Sequence, residues 1–381
     1  MNFIPYGRQY IDDTDIEAVV KALRSDYLTQ GPAVDEFEKS ICEYTGAKYC
    51  VAVCNGTAAL HLAVKALDVQ SGLEGITTTN TFVASSNCLV YNNLRPVFAD
   101  IDERTYNIDP VEVEKKITSK TKIIIPVHFA GQTANMEKIF KFSKNKDIHI
   151  IEDASHAIGS KYKCGTRVGS CKYSDMTVFS FHPVKTITTG EGGAITTNNE
   201  KLYKKLRILR THGITKQNMS KNPGPWYYEM QDLGFNYRLT DLQALLGTSQ
   251  MRKIDLFIKR RREIIDFYNN IFKGLDWLIT PYQEEGVFSA LHLYVLKIDF
   301  NKIEKTRKQV MEELKEKNIG TQVHYIPVHT QPYYVKTFGY KQGDYPNAEK
   351  YYEQALSIPL YPKMTEEEVE WVVDNIKGLK R

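Results

Sequence analysis

Lys185 stands where a lysine can do chemistry. It closes Ser180-Phe-His-Pro-Val-Lys185, directly after an apolar run, and opens the polar loop Thr186-Ile-Thr-Thr-Gly-Glu-Gly-Gly193. Small residues in such a loop let backbone approach a ligand closely. An amine partly desolvated at a strand end is nucleophilic near neutral pH, as a lysine that captures a carbonyl compound must be. A lone lysine also reads as an ordinary solvated residue, so its company matters. Asp153 ends the apolar run in Ile150-Ile-Glu-Asp-Ala-Ser-His156. A carboxylate low in a cleft can pair with a pyridine nitrogen, keep it protonated and make the ring an electron sink; the plainer reading is an N-cap for the next segment. Asn55-Gly-Thr-Ala-Ala59 breaks the run 49–54 and opens a helical pattern. Free N–H groups and the helix dipole at such a turn bind phosphate. Thr57 can add a hydroxyl, although a simple helix cap would look the same. Ser180 offers a second hydroxyl in the lysine segment.

These residues need elements that bring strand ends together. Strands are expected at 49–54, 96–100, 122–129, 149–153, 175–181 and 193–197, with helices at 58–67, 84–91 and 135–144. The run 122–129 is continuously apolar, as in a strand buried on both faces. Strand–helix alternation predicts an α/β fold: a mostly parallel sheet flanked by helices, with ligands at the carboxyl ends of the strands. Asn55, Asp100, His128, Asp153 and Ser180 each close an apolar run and would gather there, turn chemistry being the simpler account of Asp100. Around Thr240 the texture changes. A long helical stretch reaches about Lys273 with a break near 253–255, then strands at 291–298 and 320–325 and helices at 305–317 and 366–379. The expected division is a large domain over 1–250 and a smaller α+β domain over 251–381. The N-terminal segment would pack on the small domain or on a dimer partner.

Composition narrows the class. Fifty basic and 46 acidic side chains in 381 residues leave a net charge of +4, too mild for a nucleic-acid-binding face. The densest basic stretch, Arg252-Lys253 with Lys259-Arg-Arg-Arg262, reads first as a solvated helix face and second as attraction for an anionic substrate. Six cysteines, at 42, 50, 54, 88, 164 and 171, show no CxxC pair or zinc-ligand spacing. They are expected as buried small residues of a reducing compartment, and no metal site is expected. The start, Met1-Asn-Phe-Ile-Pro-Tyr-Gly7, lacks a basic segment followed by an apolar run. Neither a signal peptide nor a membrane span of ~18 apolar residues is expected, and the expected compartment is the cytoplasm. The 24 tyrosines suit a polar, stacking-capable cleft or surface.

Together the chemical segments resemble the DegT-type sugar aminotransferases, fold-type I enzymes dependent on pyridoxal 5'-phosphate. Leu28-Thr-Gln-Gly-Pro32, Thr79-Asn-Thr-Phe-Val-Ala84, Pro126-Val-His-Phe-Ala-Gly131, Arg210-Thr-His-Gly213, Gly234-Phe-Asn-Tyr-Arg-Leu239 and Val323-His-Tyr-Ile-Pro327 carry the resemblance over nearly the whole chain. It implies that Lys185 holds the cofactor covalently and shuttles the proton between substrate carbon and cofactor, while Asp153 binds the pyridinium nitrogen. Phe82 would stack on the ring face, its alternative being a core aromatic. Gly56, Thr57 and Ser180 would hold the phosphate. His156 stands where many relatives carry Gln, near the phenolic oxygen, and could add a charge there. Asn236 would reach the phosphate of the partner subunit, which implies a homodimer with shared active sites. Thr29, Glu191, Arg238, His324 and Tyr325 would face the substrate. Ser71-Gly-Leu-Glu-Gly-Ile76 replaces a commoner Gly-Asp-Glu-Val-Ile run and is expected to touch only a surface turn. Lysine rather than histidine at 185 argues against the family's dehydratases.

The implied reaction has two halves at one site. Glutamate leaves its nitrogen on the cofactor as pyridoxamine 5'-phosphate, and a nucleotide-linked ketosugar then takes it. Gly190-Glu-Gly-Gly193 resembles relatives that aminate C4 rather than C3. The stretch 179–189 is similar to UDP-4-amino-4,6-dideoxy-N-acetyl-altrosamine transaminases of the route to pseudaminic acid; 326–334 is similar to spore-coat polysaccharide aminotransferases. The acceptor implied is a UDP-linked 4-keto-6-deoxy-N-acetylhexosamine, with a bacillosamine or GDP-perosamine precursor as alternatives. A cofactor-binding regulatory protein without turnover is the alternative of another class. No helix-turn-helix or basic DNA-reading segment supports it, and Lys185 with Asp153 speaks against it.

Overall fold

The computed structural model describes residues 1–144, 146–217 and 219–380. Seven strands form its central sheet: β1 (Tyr49–Val53), β2 (Glu74–Thr78), β3 (Arg95–Ala99), β4 (Thr121–Ile125), β5 (His149–Asp153), β6 (Met176–Ser180) and β7 (Gly193–Thr197). Their order is β1-β7-β6-β5-β4-β2-β3. β7 runs antiparallel to both neighbours, and every other pair is parallel. The sheet is therefore mostly parallel, as the alternation predicts.

Successive strand residues point to opposite faces. Cys50, Ala52, Ile124, Ile150, Phe179 and Ala194 enter one core, closed by helices Ala33–Thr45, Met136–Ser143 and Asp241–Met251. Val51, Val53, Ile123, Ile125, Ile151, Val178 and Ile195 enter the other, closed by helices Gly56–Ala66, Ala84–Tyr91 and Glu200–Arg210. Ile123, Ile124 and Ile125 have no exposed surface. Burying each contributes roughly 1.5–3 kcal/mol, which is why this run is continuously apolar instead of alternating.

Several boundaries differ from expectation. β4 stops at Ile125, not at 129, because Pro126 has no N–H for the ladder and Phe129–Gly131 form a tight turn with Ala130 at φ 54. The segment 71–76 is not only a surface turn, since residues 74–78 form β2, an interior strand between β3 and β4. Its sequence carries no apolar run, because glycine and threonine fill most of it. A Cβ on Gly75 would lie 2.3 Å from the Leu89 side chain, and Thr77 satisfies its hydroxyl on the carbonyl of Ile125 at 2.8 Å.

Two short strands, β8 (Ile214–Thr215) and β9 (Glu229–Met230), make a hairpin; β10 (Leu278–Ile279), β11 (Tyr294–Ile298) and β12 (Ala355–Ile358) make a small antiparallel sheet. Its core gathers Ile264, Tyr268, Phe272, Leu296, Val310 and Val372, and Ile4 from the N-terminus joins it. The helix Ile254–Phe272 links the cores, with Phe257 and Ile258 in the first and Ile264 onward here. The expected strand 320–325 is absent. Only Gln322 pairs, with Ser357, and the residues after it turn away to line a cavity.

The basic stretch is a solvated face only in part, with Arg252 and Lys259 exposed. Arg261 is 1% exposed and donates to the carbonyls of Leu360 (2.8 Å) and His292 (3.2 Å). Arg260 donates to Met364 and Arg262 to Ser289, again at backbone carbonyls, and Lys253 pairs with Asp12 and Asp15. Lys253, Arg260, Arg261 and Arg262 thus staple segments of the fold together. Cys164 is exposed, contrary to the expectation of buried thiols, whereas Cys50, Cys88 and Cys171 are buried. Among the described residues, no helix is long and apolar enough to cross a membrane.

Candidate active site

The carboxyl ends of β1, β2, β4, β5 and β6 open into one cavity of about 730 Å³, within the range of ligand pockets. Because β7 runs the other way, the loop before it brings Glu191 to the same rim. Gly56, Thr57, Phe82, Asp153, His156, Ser180, Lys185, Glu191, His324 and Tyr325 all border this space.

The turn after β6 closes through Lys185 N–H to the carbonyl of His182 at 2.8 Å. The amine itself makes no hydrogen bond among the described residues. Enclosure by the cleft walls brings its pKa down to about 8, against an opposing pull from the charge of Asp153. At neutral pH a useful fraction is therefore unprotonated and nucleophilic.

Asp153 is 4% exposed at the end of β5. Oδ2 accepts from Ser85 Oγ at 2.7 Å; Oδ1 accepts from Ser155 Oγ at 2.6 Å and Ser155 N–H at 3.1 Å. The N-cap reading thus describes one oxygen only. No cation pairs with the carboxylate among the described residues, and a carboxylate has about four lone-pair sites, so one remains for a donor in the cavity. Its neighbour Glu152 faces the other side of the sheet, filled by His128 Nε2 (2.8 Å), Tyr162 (2.5 Å), Ser174 (2.5 Å) and Thr177 (3.1 Å). His128 therefore belongs to that buried network and not to the cavity. Asp100 is also elsewhere, accepting from the amides of Asn347 and Ala348 at 3.0 Å and capping the helix Pro346–Gln354. Of five polar strand ends expected to converge, Asn55, Asp153 and Ser180 do so.

Asn55 Oδ1 accepts the N–H of Ala58 at 2.8 Å and caps the helix Gly56–Ala66. The N–H groups of Gly56 and Thr57 are left without helical partners at its positive end. This end is pressed tightly into place. A Cβ on Gly56 would lie 2.9 Å from Ser180 Cβ, and one on Gly193 would lie 2.5 Å from the carbonyl oxygen of Asn55. Phe82 is 59% exposed, so it is not a core aromatic; its ring borders the cavity 6.4 Å from that of Tyr325.

Three buried imidazoles complete the wall. Burial, with the Lys185 charge second, holds His156 well below its ordinary pKa, so it is neutral and adds no charge to the site. The same causes bring His324 to about 3; its Nδ1 lies 2.7 Å from Ser357 Oγ. His292, absent from the expected site, packs on His156 with centroids 4.4 Å apart, and its buried Nδ1 has no partner. Ser85, Ser155, His292 and Tyr6 were not singled out as site residues. Ser155 and Ser85 lie within or beside quoted segments, but nothing local marks His292 or Tyr6. Thr29, Asn236 and Arg238 lie outside the cavity wall, in backbone bridges to Thr240, Thr211 and Val53. Thr29 and Asn236 are exposed.

An unpaired amine, a carboxylate with a free lone pair, an open helix N-terminus and an uncovered aromatic face meet in one space. They suit an aldehyde, a pyridinium N–H, a phosphate and a flat ring, so these residues fit pyridoxal 5'-phosphate. The pattern of the DegT/DnrJ/EryC1/StrS aminotransferase family matches residues 9–377. The chain belongs to this family.

Its DegT-family relatives match end to end. The spore coat polysaccharide biosynthesis protein SpsC of Bacillus subtilis is 43% identical, over 99% of this chain and 97% of that one. The UDP-4-amino-4,6-dideoxy-N-acetyl-beta-L-altrosamine transaminase of Campylobacter jejuni is 37% identical, over 98% and 96%. Among solved structures, Helicobacter pylori PseC, an aminotransferase involved in the biosynthesis of pseudoaminic acid, superposes with a TM-score of 0.93 at 31% identity, covering 100% of this chain and 99% of its own. Spr1654 of Streptococcus pneumoniae in its PLP-form gives 0.91 at 32%, covering 99% and 98%. The fold is that of fold-type I aminotransferases, and the chain is a sugar aminotransferase of the DegT family.

Proposed function

We propose that this enzyme moves an amino group from glutamate to C4 of a UDP-linked 4-keto-6-deoxy-N-acetylhexosamine, on a route to pseudaminic acid or a surface polysaccharide. What carries the amino-transfer part of this is the Lys185 amine, unpaired among the described residues and lowered to about 8, in one cleft with the buried Asp153. Bound pyridoxal 5'-phosphate supplies a ring that accepts the electrons released when the amine-bearing carbon loses its proton. The rest falls to the chain. Lys185 Nζ, unprotonated in part at neutral pH, would take that proton and hold it within the cleft. Asp153, anchored by Ser85 and Ser155, keeps the ring nitrogen protonated. The amides of Gly56 and Thr57 and the hydroxyl of Ser180 hold the phosphate, and Phe82 covers the ring. Glu191 and His324, on the cavity wall, meet the sugar.

We further take the enzyme to be a cytoplasmic homodimer. Asn236 is exposed and outside its own cavity, free to serve a partner's, and Trp226 (70% exposed), Tyr228, Met230 and Leu233 crowd the same hairpin region. Six free cysteines, one of them exposed, suit a reducing compartment.

Relatedness to the Campylobacter transaminase supports the UDP-linked N-acetyl sugar; the higher identity to SpsC keeps another ketosugar, a bacillosamine or GDP-perosamine precursor, as the second reading. The test is a panel of UDP- and GDP-linked 4-keto-6-deoxysugars with glutamate as donor, followed by product stereochemistry. The UDP-linked N-acetyl sugar is expected to give the highest kcat/KM and a C4 amine. Preference for a GDP-sugar, or amination at C3, would overturn the assignment.

A further inference from the structure

We propose that Glu152 is a positioning residue for the ring nitrogen of the bound cofactor, a second fixed anion that acts through Asp153 from the opposite face of the sheet. This rests on pyridoxal 5'-phosphate occupying the cavity as described above.

Consecutive strand residues point to opposite faces. Asp153 borders the cavity, and Glu152 lies behind it with no exposed surface. All four lone-pair sites of the Glu152 carboxylate are taken. Oε2 accepts from His128 Nε2 at 2.8 Å and from the Tyr162 hydroxyl at 2.5 Å; Oε1 accepts from Ser174 Oγ at 2.5 Å and Thr177 Oγ1 at 3.1 Å. Burial opposes the charge, yet the donors of His128, Ser174 and Tyr162 prevail and hold the pKa below the ordinary value. Glu152 is therefore an anion.

No cation balances it among the described residues. His128 is the one base in contact, and its Nδ1 accepts the N–H of Ala134 at 3.1 Å. A ring nitrogen that accepts an N–H carries no proton, so His128 is neutral and gives Glu152 its only ring N–H. The other titratable neighbours are uncharged as well. Burial pushes Tyr162 well above its ordinary pKa and Cys171 up to about 12; the Cys164 sulfur, with burial second, takes Tyr173 to about 12.

A buried anion without a partner is stabilised by any positive charge that the fold brings near. The cavity supplies that charge, since a ring nitrogen protonated at Asp153 would lie just across the strand. The backbone makes the link rigid. Asp153 N–H donates to the carbonyl of Pro126 at 2.9 Å, and His128 N–H donates to the carbonyl of Asp153 at 3.0 Å. His128 thus holds the Glu152 side chain and the Asp153 backbone together. Opposite charges on the order of 10 Å apart, at an effective dielectric of ~20, interact by roughly the energy of a tenfold change in affinity.

The test measures dissociation constants, in wild type and E152Q, for pyridoxal 5'-phosphate and for 1-deazapyridoxal 5'-phosphate, whose ring has carbon in place of the nitrogen. Both compounds keep the aldehyde and the phosphate, so general damage to the site weakens them alike. E152Q should weaken pyridoxal 5'-phosphate about tenfold and leave the affinity of the analogue unchanged. E152D, which keeps the charge, should keep the preference for the nitrogen-bearing compound. Equal weakening of both compounds by E152Q, or of neither, overturns the proposal. If E152Q does not fold, Y162F decides the matter. It removes one donor and leaves the carboxylate, so Glu152 takes up a proton at higher pH. The preference for the nitrogen-bearing compound is lost as pH falls, and Y162F should raise the midpoint of that loss by roughly one to two pH units, the size of one hydrogen bond to a charged group. An unshifted midpoint overturns the proposal too. If wild-type protein binds no pyridoxal 5'-phosphate, the cofactor assignment fails instead, and the two failures are distinguishable.

Discussion

Lys185 and Asp153 border one cavity, yet no ion pair joins them among the described residues, because Ser85 and Ser155 hold the carboxylate by neutral donors. Each charge is thus left for a ligand. The amine's ordinary pKa of 10.5 falls to about 8 through enclosure. The sign follows directly: the reactive neutral amine is present above about 8 and is lost as pH falls below it. Capture of pyridoxal 5'-phosphate by the apoenzyme, followed by absorbance, should accelerate about tenfold per pH unit up to that point and level off beyond it. A profile still rising steeply at pH 10 would show an ordinary, solvated lysine. Asp153 was legible because it closes an apolar run, and Lys185 because it follows one and opens a glycine-rich polar loop. The neutrality of His156 was not legible, since it arises from walls brought from distant parts of the chain.

At the scale of elements, strand direction decides which ends meet. The alternation of apolar runs and helical patterns located most of the central strands within a residue or two. It missed β2, whose burial runs through Gly75, Thr77 and Thr78, and it overextended 320–325, where the chain leaves the sheet for the cavity. The antiparallel β7 was not foreseen either, although it explains how Glu191 and Gly193 reach the rim. Gly193 carries a prediction. A Cβ there would press on Asn55 O (2.5 Å) and Gly56 N (2.8 Å), both backbone atoms that cannot rotate away. Gly193→Ala should therefore displace the helix N-terminus and weaken cofactor binding by about tenfold, or 1.4 kcal/mol, in a protein that still melts cooperatively. Wild-type affinity by titration would exclude that N-terminus as the phosphate site.

At the scale of the whole molecule, the family resemblance was legible because its segments run from Leu28 to Pro327, and the structure brings those at 79–84, 126–131 and 323–327 to the cavity of Lys185 and Asp153. The sugar was less legible, since of the residues expected to face it Thr29 and Arg238 lie outside the cavity wall and Glu191 stands on a loop at its rim. Asn236 lies outside the cavity lined by its own chain, so the proposed sharing of sites makes a specific demand. Inactive Lys185→Ala and Asn236→Ala proteins, unfolded and refolded together, should regain activity, because a hybrid dimer contains one site with both residues intact. A mixture that stays as inactive as its parts would rule out sharing. The most direct measurement is borohydride reduction of the enzyme with pyridoxal 5'-phosphate, followed by peptide mass analysis. A single adduct on Lys185, absent from Lys185→Ala along with turnover, is the predicted result. A reducible adduct and normal turnover in Lys185→Ala would contradict it.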